Sequence, residues 1–206
     1  ATGGAISVAA GRISFALGLQ GPCESIDTAC SSALVALDAA YQTMRLGKCR
    51  AGALVGGVNL LLHPSVWVGS CALRALSADG QCKTFDSLAD GYGRGDACGV
   101  VMVQSQVIVN PSQTMLETDS VSNLGEVLGT GVNQDGKSAS FMAPNGPSQE
   151  ALIRQVMQDA GVAPSDSSLF ECHGTGTALG DPIEVGAMGK AYETGGPSAD
   201  SQSPLV

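Results

Sequence analysis

The sequence predicts an α/β fold in which helices and strands form alternating layers. Two observations predict it. Short apolar or β-branched runs alternate with helical patterns along the chain, and the 28 glycines among 206 residues are about twice the usual share. Abundant glycine is typical of α/β enzymes, where tight turns and close backbone approaches surround the site. Hydrophobic residues make up 44% and charged residues 14%, which indicates a folded chain with a core.

Net charge and cysteine usage exclude several classes of function. A net charge of -9 disfavours nucleic acid and anionic membranes as partners, and no apolar stretch approaches the roughly 20 residues of a membrane helix. The seven cysteines form no Cys-x-x-Cys pair, which disfavours a disulfide framework or a metal site. We therefore expect free, mostly buried thiols in a reducing compartment, the cytoplasm, with an organelle as the alternative.

The first half of the chain is predicted to contain a strand, a helix and two further strands. Residues 25–28 are strand-like and lead into a helix from Ala33 to about Leu46, which is apolar on most sides and therefore predicted to be buried. Residues 51–62 predict a core strand with close backbone approach at Gly56 and Gly57. Residues 77–95 are polar and turn-rich, and residues 98–109 predict a strand.

The second half predicts a strand at 120–130, a loop at 131–147 and a helix from Pro147 to Ala160. A short strand at 168–172 and a glycine-threonine loop at 173–180 follow. Asp181, Pro182 and Glu184 then open a third helix as a capping box, which we favour over a catalytic pair of carboxylates. The tail at 194–206 is rich in glycine, proline and serine and is predicted to be a surface loop.

Cys30 is the first candidate for chemistry, because it follows the strand-like run and precedes the first predicted helix. Free backbone N–H groups and the helix dipole at such a position stabilise a thiolate and can bind an oxyanion. The alternative is a structural thiol, as for most cysteines.

His173 is the second candidate. It opens the run His-Gly-Thr-Gly-Thr, which has no bulky side chain and so leaves an imidazole accessible to a substrate. Thr175 and Thr177 alternate with glycines, so both hydroxyls can point the same way and bind an amide or phosphate, or else stabilise the loop. The other histidine, His63, is interpreted as structural, although the sequence leaves a pairing with Cys30 open.

Four segments, in order along the chain, resemble the beta-ketoacyl synthase domains of multidomain synthases. These segments are Gly21-Pro22 with Asp27-Thr-Ala-Cys-Ser-Ser-Ala-Leu34; Phe85-Asp86 with Ala89-Asp-Gly-Tyr-Gly-Arg-Gly-Asp96; Asn133-Gln-Asp-Gly136 with Ala143-Pro-Asn-Gly-Pro-Ser-Gln149; and His173-Gly-Thr-Gly-Thr177 with Gly180-Asp-Pro-Ile-Glu184. The third segment is more typical of polyketide synthases than of animal fatty-acid synthases. The set covers most of the chain.

This resemblance implies the thiolase-like fold, layered α-β-α-β-α, and a homodimer. Residues 1 to about 110 are then the later part of the N-terminal half, and residues from about 111 to 206 the start of the C-terminal half. Cys30 is expected to be the acyl-accepting nucleophile and His173 one of two catalytic histidines. Thr175 and Thr177 fall where the family contacts the phosphopantetheine arm.

The implied reaction is a decarboxylative Claisen condensation, an acyl transfer in polyketide biosynthesis. An acyl chain on Cys30 joins a malonyl-type thioester of an acyl carrier protein and gives a 3-ketoacyl thioester. The domain itself is expected to bind no cofactor or metal, because the carrier protein supplies the phosphopantetheine arm. Alternatives are a fatty-acid-type ketosynthase, a thiolase-like or hydrolytic enzyme, and an inactive ketosynthase-like dimer scaffold.

The chain departs from the family pattern at Ala33, where a third serine is usual, and at its ends. The first residue is not Met, and the family's opening strands, its second histidine in Asn-x-Gly-His and a C-terminal glycine-rich segment are not among these residues. We therefore expect an internal fragment, incomplete at both ends and inactive alone.

Overall fold

A computed structural model describes residues 4–49, 51–105 and 123–193. The helices and strands are α1 (Ala9–Leu17), α2 (Ser32–Arg45), β1 (Ala53–Asn59), α3 (Ser65–Ala72), β2 (Ala97–Val103), α4 (Gly146–Ala160) and α5 (Gly180–Tyr192). The chain forms two compact units. The first unit comprises Ala1–Val58 with Ala97–Val127, and the second comprises Asn59–Asp96 with Leu128–Val206.

Helix α2 of the first unit lies where the sequence predicts a helix. The first residue of α2, Ser32, makes two hydrogen bonds to the turn before the helix. Its hydroxyl accepts the Thr28 N–H at 2.9 Å and donates to the Ala29 carbonyl at 2.7 Å. The predicted burial of α2 is wrong for the described residues. Leu34 is 71% exposed and no residue of the helix is fully buried.

Strands β1 and β2 form a two-stranded sheet. They confirm the central part of the strand predicted at 51–62 and the first part of the strand predicted at 98–109. Both strands are shorter than predicted, and the end of the second prediction, from residue 106, lies outside the described residues. Glycine is required at position 57, because a Cβ atom there would lie 2.8 Å from the Cβ of Ala33. Strand β1 therefore lies directly against the first turn of α2.

Helices α4 and α5 pack together in the second unit, and α5 provides most of the buried side chains among its described residues. The buried hydrophobic residues of this unit are Ala187, Met188 and Ala191, all on α5. The start and end of α4 follow the sequence: the Asn145 side chain accepts the Ser148 N–H, and Gly161 ends the helix with a φ of 66°. Of the described helices, none is both long and apolar enough to cross a membrane.

Three predicted strands are not strands in the structure. Residues 25–28 and 123–130 form no strand, and residues 168–172 contain only an isolated bridge at Leu169, while residues 120–122 and the tail from 194 lie outside the described part. A strand needs a neighbour with which to exchange backbone hydrogen bonds, and sequence pattern alone does not supply one. Helices α1 and α3 were not predicted; both are short and contain an interior glycine, Gly11 or Gly69, that weakens the helical signal.

We predict that Gly57→Ala destabilises the protein, because the added methyl group overlaps the Ala33 side chain. Overpacking of this kind costs about 1–3 kcal/mol. Gly99→Ala on β2 is the matched control, since a Cβ atom there meets nothing within 4 Å. Thermal unfolding of the two variants provides the measurement. Equal midpoints would show that β1 does not pack against α2 as described.

Candidate active site

Cys30 lies in a 3-10 turn, Ala29–Ser31, immediately before α2 in the first unit. Its side chain is exposed. All seven cysteines are within the described residues, and Cys30 is the one that lies at the start of an α-helix. The predicted position of Cys30 immediately before a helix is thus confirmed, although the preceding residues 25–28 do not form the predicted strand.

Local polar bonds hold the turn that presents Cys30. The Asp27 carboxylate accepts the Ala29 N–H at 3.1 Å, the Ser31 hydroxyl donates to the Thr28 carbonyl at 3.0 Å, and the hydroxyls of Thr28 and Ser31 lie 2.8 Å apart. These bonds support an unusual backbone, because Ala29 has a φ of 59°. A residue with a side chain in this region is strained and persists only where its surroundings hold it.

The remaining cysteines fit the role of a nucleophile less well. Five of the seven thiols are exposed, so the prediction of mostly buried thiols is wrong. Cys172 is next to His173 in sequence, but burial raises the pKa of its thiol, and the negative charges of Glu184 and Glu171 raise it further. The thiolate of Cys172 is therefore disfavoured.

His173 is exposed and begins a loop that leads into α5 in the second unit. Glu184, the fifth residue of α5, holds the backbone of this loop. One carboxylate oxygen accepts the His173 N–H at 2.6 Å and the other accepts the Gly174 N–H at 3.0 Å. Bonds from backbone N–H groups to a carboxylate are charge-assisted and stronger than neutral ones. The backbone of His173 is therefore fixed while its imidazole remains accessible.

Asp181 also holds this loop, and its side chain is buried, with 4% of the residue exposed. Its two oxygens accept the Gly176 N–H at 3.1 Å and the Phe85 N–H at 2.9 Å. The predicted capping box is therefore wrong. Helix α5 begins at Gly180 with Leu179 at the N-cap, and both carboxylates bond to other loops rather than to their own helix end. They are nevertheless not a free catalytic pair.

Thr175 and Thr177 place their hydroxyl oxygens 3.2 Å apart, so the two side chains do point the same way. The Thr177 hydroxyl also accepts the Gly180 N–H at 3.1 Å. Thr177 thus satisfies an N–H group at the start of α5, the task that the sequence assigned to Asp181.

Gly174 and Gly176 allow the loop its shape. Their φ angles are 54° and 70°, and a Cβ atom on Gly176 would lie 2.8 Å from the backbone nitrogen of Lys83. Residues 83–85 therefore lie directly on the loop. The Thr84 hydroxyl donates to the Gly174 carbonyl at 2.6 Å.

A cavity of about 230 Å³ opens beside His173 within the second unit. It is lined by Thr84, Phe85, Phe170, Glu171, Cys172, His173 and Gly174. Sequence reasoning assigned no role to Thr84 or Phe85, because they lie about 90 residues before the loop that they contact. The alternating glycines of the loop were the available signal that another backbone approaches closely.

His63 has a local bonding role. Its ring Nδ1 accepts the Ser65 N–H at 3.2 Å and lies 2.9 Å from the Ser65 hydroxyl, at the start of α3. In the described part of the chain, no three His, Cys, Asp or Glu side chains cluster closely enough to hold a metal ion.

Two family models match the chain. The model described as "Beta-ketoacyl synthase, N-terminal domain" matches residues 1–107, and "Beta-ketoacyl synthase, C-terminal domain" matches residues 124–205.

Curated relatives include a phenolphthiocerol/phthiocerol polyketide synthase of Mycobacterium tuberculosis, which is 44% identical over 100% of this chain and 10% of the relative. Polyketide synthase GfsA of Streptomyces halstedii is 45% identical over 94% of this chain and 2% of the relative. The chain therefore spans a small share of the length of either relative.

Solved structures share the fold. The oxazolomycin ketosynthase domain OzmH KS7 of Streptomyces albus JA3453 matches with a TM-score of 0.87 and 33% identity, over 98% of this chain and 33% of that chain. The ketosynthase from module 6 of the bacillaene synthase of Bacillus subtilis 168 matches with a TM-score of 0.79 and 37% identity, over 93% of this chain and 33% of that chain. These matches confirm the predicted thiolase-like α/β fold.

We predict that Asp181→Asn destabilises the second unit. The amide nitrogen of the new asparagine faces one of the two backbone N–H groups that Asp181 bonds. The substitution therefore removes a charge-assisted hydrogen bond and leaves a buried N–H donor without an acceptor. The expected loss is about 1.5–3 kcal/mol. Asp159→Asn, an exposed position on α4, is the control and is expected to change stability by less than about 0.5 kcal/mol. Chemical denaturation measures both, and an equal effect in the two variants would contradict the assignment.

Proposed function

The chain belongs to the beta-ketoacyl synthase family, and from this premise we propose that it is part of a ketosynthase of a type I polyketide synthase. The proposed reaction joins an acyl chain on Cys30 to a malonyl-type carrier-protein thioester with loss of carbon dioxide. The polyketide synthases and ketosynthases among its relatives support this class of reaction. The two family models support a division at about residue 110 between the N-terminal and C-terminal halves of the domain.

The observation that carries the proposal is the position of Cys30 at the start of α2. The positive end of a helix dipole stabilises a thiolate, and a thiolate is the reactive form of cysteine. Backbone N–H groups at a helix start also stabilise an oxyanion. An exposed thiol in this place can therefore accept an acyl group from a thioester.

The acylation step is a thioester exchange. The Cys30 thiolate attacks the carbonyl carbon of the acyl thioester, and the carbonyl oxygen carries the negative charge of the tetrahedral intermediate. Collapse of this intermediate expels the phosphopantetheine thiolate of the carrier protein, which takes up a proton. The acyl group is left on Cys30.

In the condensation step, His173 is proposed to donate a hydrogen bond from its imidazole to the thioester oxygen of the malonyl-type extender. The bond to the carboxyl group breaks, carbon dioxide leaves, and the electron pair becomes an enolate whose oxygen the imidazole stabilises. The enolate carbon attacks the acyl carbonyl and the Cys30 thiolate leaves. The fixed backbone and exposed side chain of His173 beside a cavity support this role.

Further partners follow from the same proposal. We propose that a second imidazole comes from outside these 206 residues, and the local bonds of the His63 Nδ1 to Ser65 support a structural role for His63. The acyl carrier protein supplies the phosphopantetheine arm, near Thr175 and Thr177, and the domain itself needs no cofactor. We also propose that the domain works as a homodimer in the cytoplasm, where the seven free thiols suit a reducing environment.

We predict that an acyl-pantetheine thioester acylates the full-length protein at Cys30. Peptide mass spectrometry locates the added mass, and Cys30→Ala should abolish it and lower condensation on the order of a thousandfold or more. Cys71→Ala removes another exposed thiol and should leave both unchanged.

The outcomes also separate the alternatives. Acylation without condensation, despite a supplied extender, favours a hydrolytic enzyme or an inactive scaffold. Acylation that persists in Cys30→Ala would overturn the proposed nucleophile. Product analysis distinguishes a polyketide from a fatty-acid chain.

We predict that the isolated 206-residue chain shows no condensation. It spans only 33% of the solved ketosynthases, and its second histidine, His63, has its Nδ1 bonded locally to Ser65. Incubation of the purified chain with both thioesters, followed by mass spectrometry for a 3-ketoacyl product, provides the measurement. Product formation above the level of Cys30→Ala would refute the prediction.

A further inference from the structure

Lys83 lies at the centre of a polar cluster in the second unit, formed by Ser77, Asp79, Lys83 and Asp90. Its ammonium group contacts Asp90 at 2.7 Å, Asp79 at 3.0 Å and the Ser77 hydroxyl at 3.2 Å. A lysine ammonium has three N–H donors, so each has a protein acceptor. The Lys83 side chain is 22% exposed, and that of Asp90 is 41% exposed.

The cluster ties three parts of the chain together. Asp79 also accepts the Ser77 hydroxyl at 2.5 Å and the Gln81 N–H at 3.3 Å, which closes the turn at 77–83. Through its bond to Lys83, Asp90 connects the following segment, Gly91 and Tyr92, to the cluster. The backbone of Tyr92 in turn bonds to both Ala75 and Ser77.

The charged groups of the cluster stabilise one another. Hydrogen bonds from Ser77 and then Lys83 lower the pKa of Asp79 to about 2. Lys83 lowers the pKa of Asp90, and Asp90 and Asp79 raise that of Lys83. Because the carboxylate pKa values fall and the ammonium pKa rises, the contribution of the cluster is complete above the ordinary carboxylate pKa of 3.8 and below the ordinary lysine pKa of 10.5.

Both segments that the cluster joins contact the loop that follows His173. On one side, Thr84 bonds to the Gly174 carbonyl and Phe85 bonds to Asp181 beneath the loop. On the other side, the Gly91 N–H donates to the Gly176 carbonyl at 3.0 Å. Lys83 itself passes so close to Gly176 that a Cβ atom would not fit there.

The backbone of Phe85 has an unfavourable conformation, so residues 83–85 keep their position against the His173 loop only if neighbouring contacts hold them. Its φ is 60°, a backbone conformation that is strained for a bulky residue and that the surrounding structure must hold. Two anchors hold Phe85: the hydrogen bond from its own N–H to Asp181, and the cluster around Lys83, which is two residues earlier in the chain. Loss of one anchor allows residues 83–85 to relax and to move the cavity wall beside His173.

We propose that Lys83 is a positioning residue for His173, acting through the cluster that holds residues 83–85 and 90–91 against the His173 loop. The proposal rests on the function proposed above for His173 in the condensation step. Lys83 has no contact with the imidazole and takes no part in bond making. Its effect therefore falls on the step that needs the hydrogen bond of His173 and not on acylation of Cys30.

The test uses the full-length protein and measures two half-reactions separately. These are acylation by an acyl-pantetheine thioester and carbon dioxide release from a malonyl-pantetheine thioester. We expect Lys83→Met to lower the malonyl reaction about tenfold, because a small misplacement of a catalytic group costs ten- to hundredfold. Acylation should stay within about twofold. Lys83→Arg keeps the positive charge and should restore most of the rate.

Matched variants make the outcome interpretable. Lys48→Met is the control, since Lys48 is exposed and its side chain forms no ion pair within the described residues. Asp90→Asn removes one ion pair, should shift the ratio of the two half-reactions in the same direction, and decides the question if Lys83→Met does not fold.

An unchanged ratio of the two rates in both Lys83→Met and Asp90→Asn overturns the proposal, whether the rates fall equally or stay constant. His173→Ala tests the underlying function independently. If His173→Ala leaves the malonyl reaction intact, the role proposed for His173 fails, regardless of the effect of Lys83.

Discussion

The second unit depends on two carboxylates at the start of α5 that accept backbone N–H groups of neighbouring loops. Asp181 and Glu184 lie three residues apart, so they share one face of the helix. Together they accept four N–H groups, from Phe85, His173, Gly174 and Gly176. A glycine-rich loop has no regular hydrogen-bond pattern of its own, and its buried backbone groups need partners. The rigid helix therefore fixes a loop that would otherwise have many conformations.

The segment around Cys30 is held by a different principle. Its polar bonds join residues at most four positions apart, and they are made by the side chains of Asp27, Thr28, Ser31 and Ser32. The close contact between Gly57 and Ala33 then sets strand β1 against the start of α2. The alanine at position 33, where the family pattern has a serine, suits a strand that passes very near. One candidate residue is thus presented by local structure and the other by contacts distant in sequence.

The apolar faces of the chain are only partly enclosed. The buried hydrophobic residues of the described part are Val55, Ala187, Met188 and Ala191, while Phe15 is 91% and Leu34 is 71% exposed. A helix in a layered fold buries its apolar face only where another layer covers it. The solved ketosynthases are about three times as long as this chain, from its 33% coverage of them. Much of the apolar surface of the described residues is therefore left uncovered.

The sequence alone determined the features that depend on near neighbours: helices α2, α4 and α5, strands β1 and β2, and a cysteine at a helix start. The four motif segments also identified the family. Only the tertiary structure decided what Asp181 and Glu184 do, and that Lys83, Thr84 and Phe85 lie against the His173 loop. A capping box is a local pattern, whereas a carboxylate bonds to whichever unsatisfied N–H group packing brings within reach. For Asp181 one of its two N–H partners lies 96 residues away, on Phe85, a separation that no local pattern encodes.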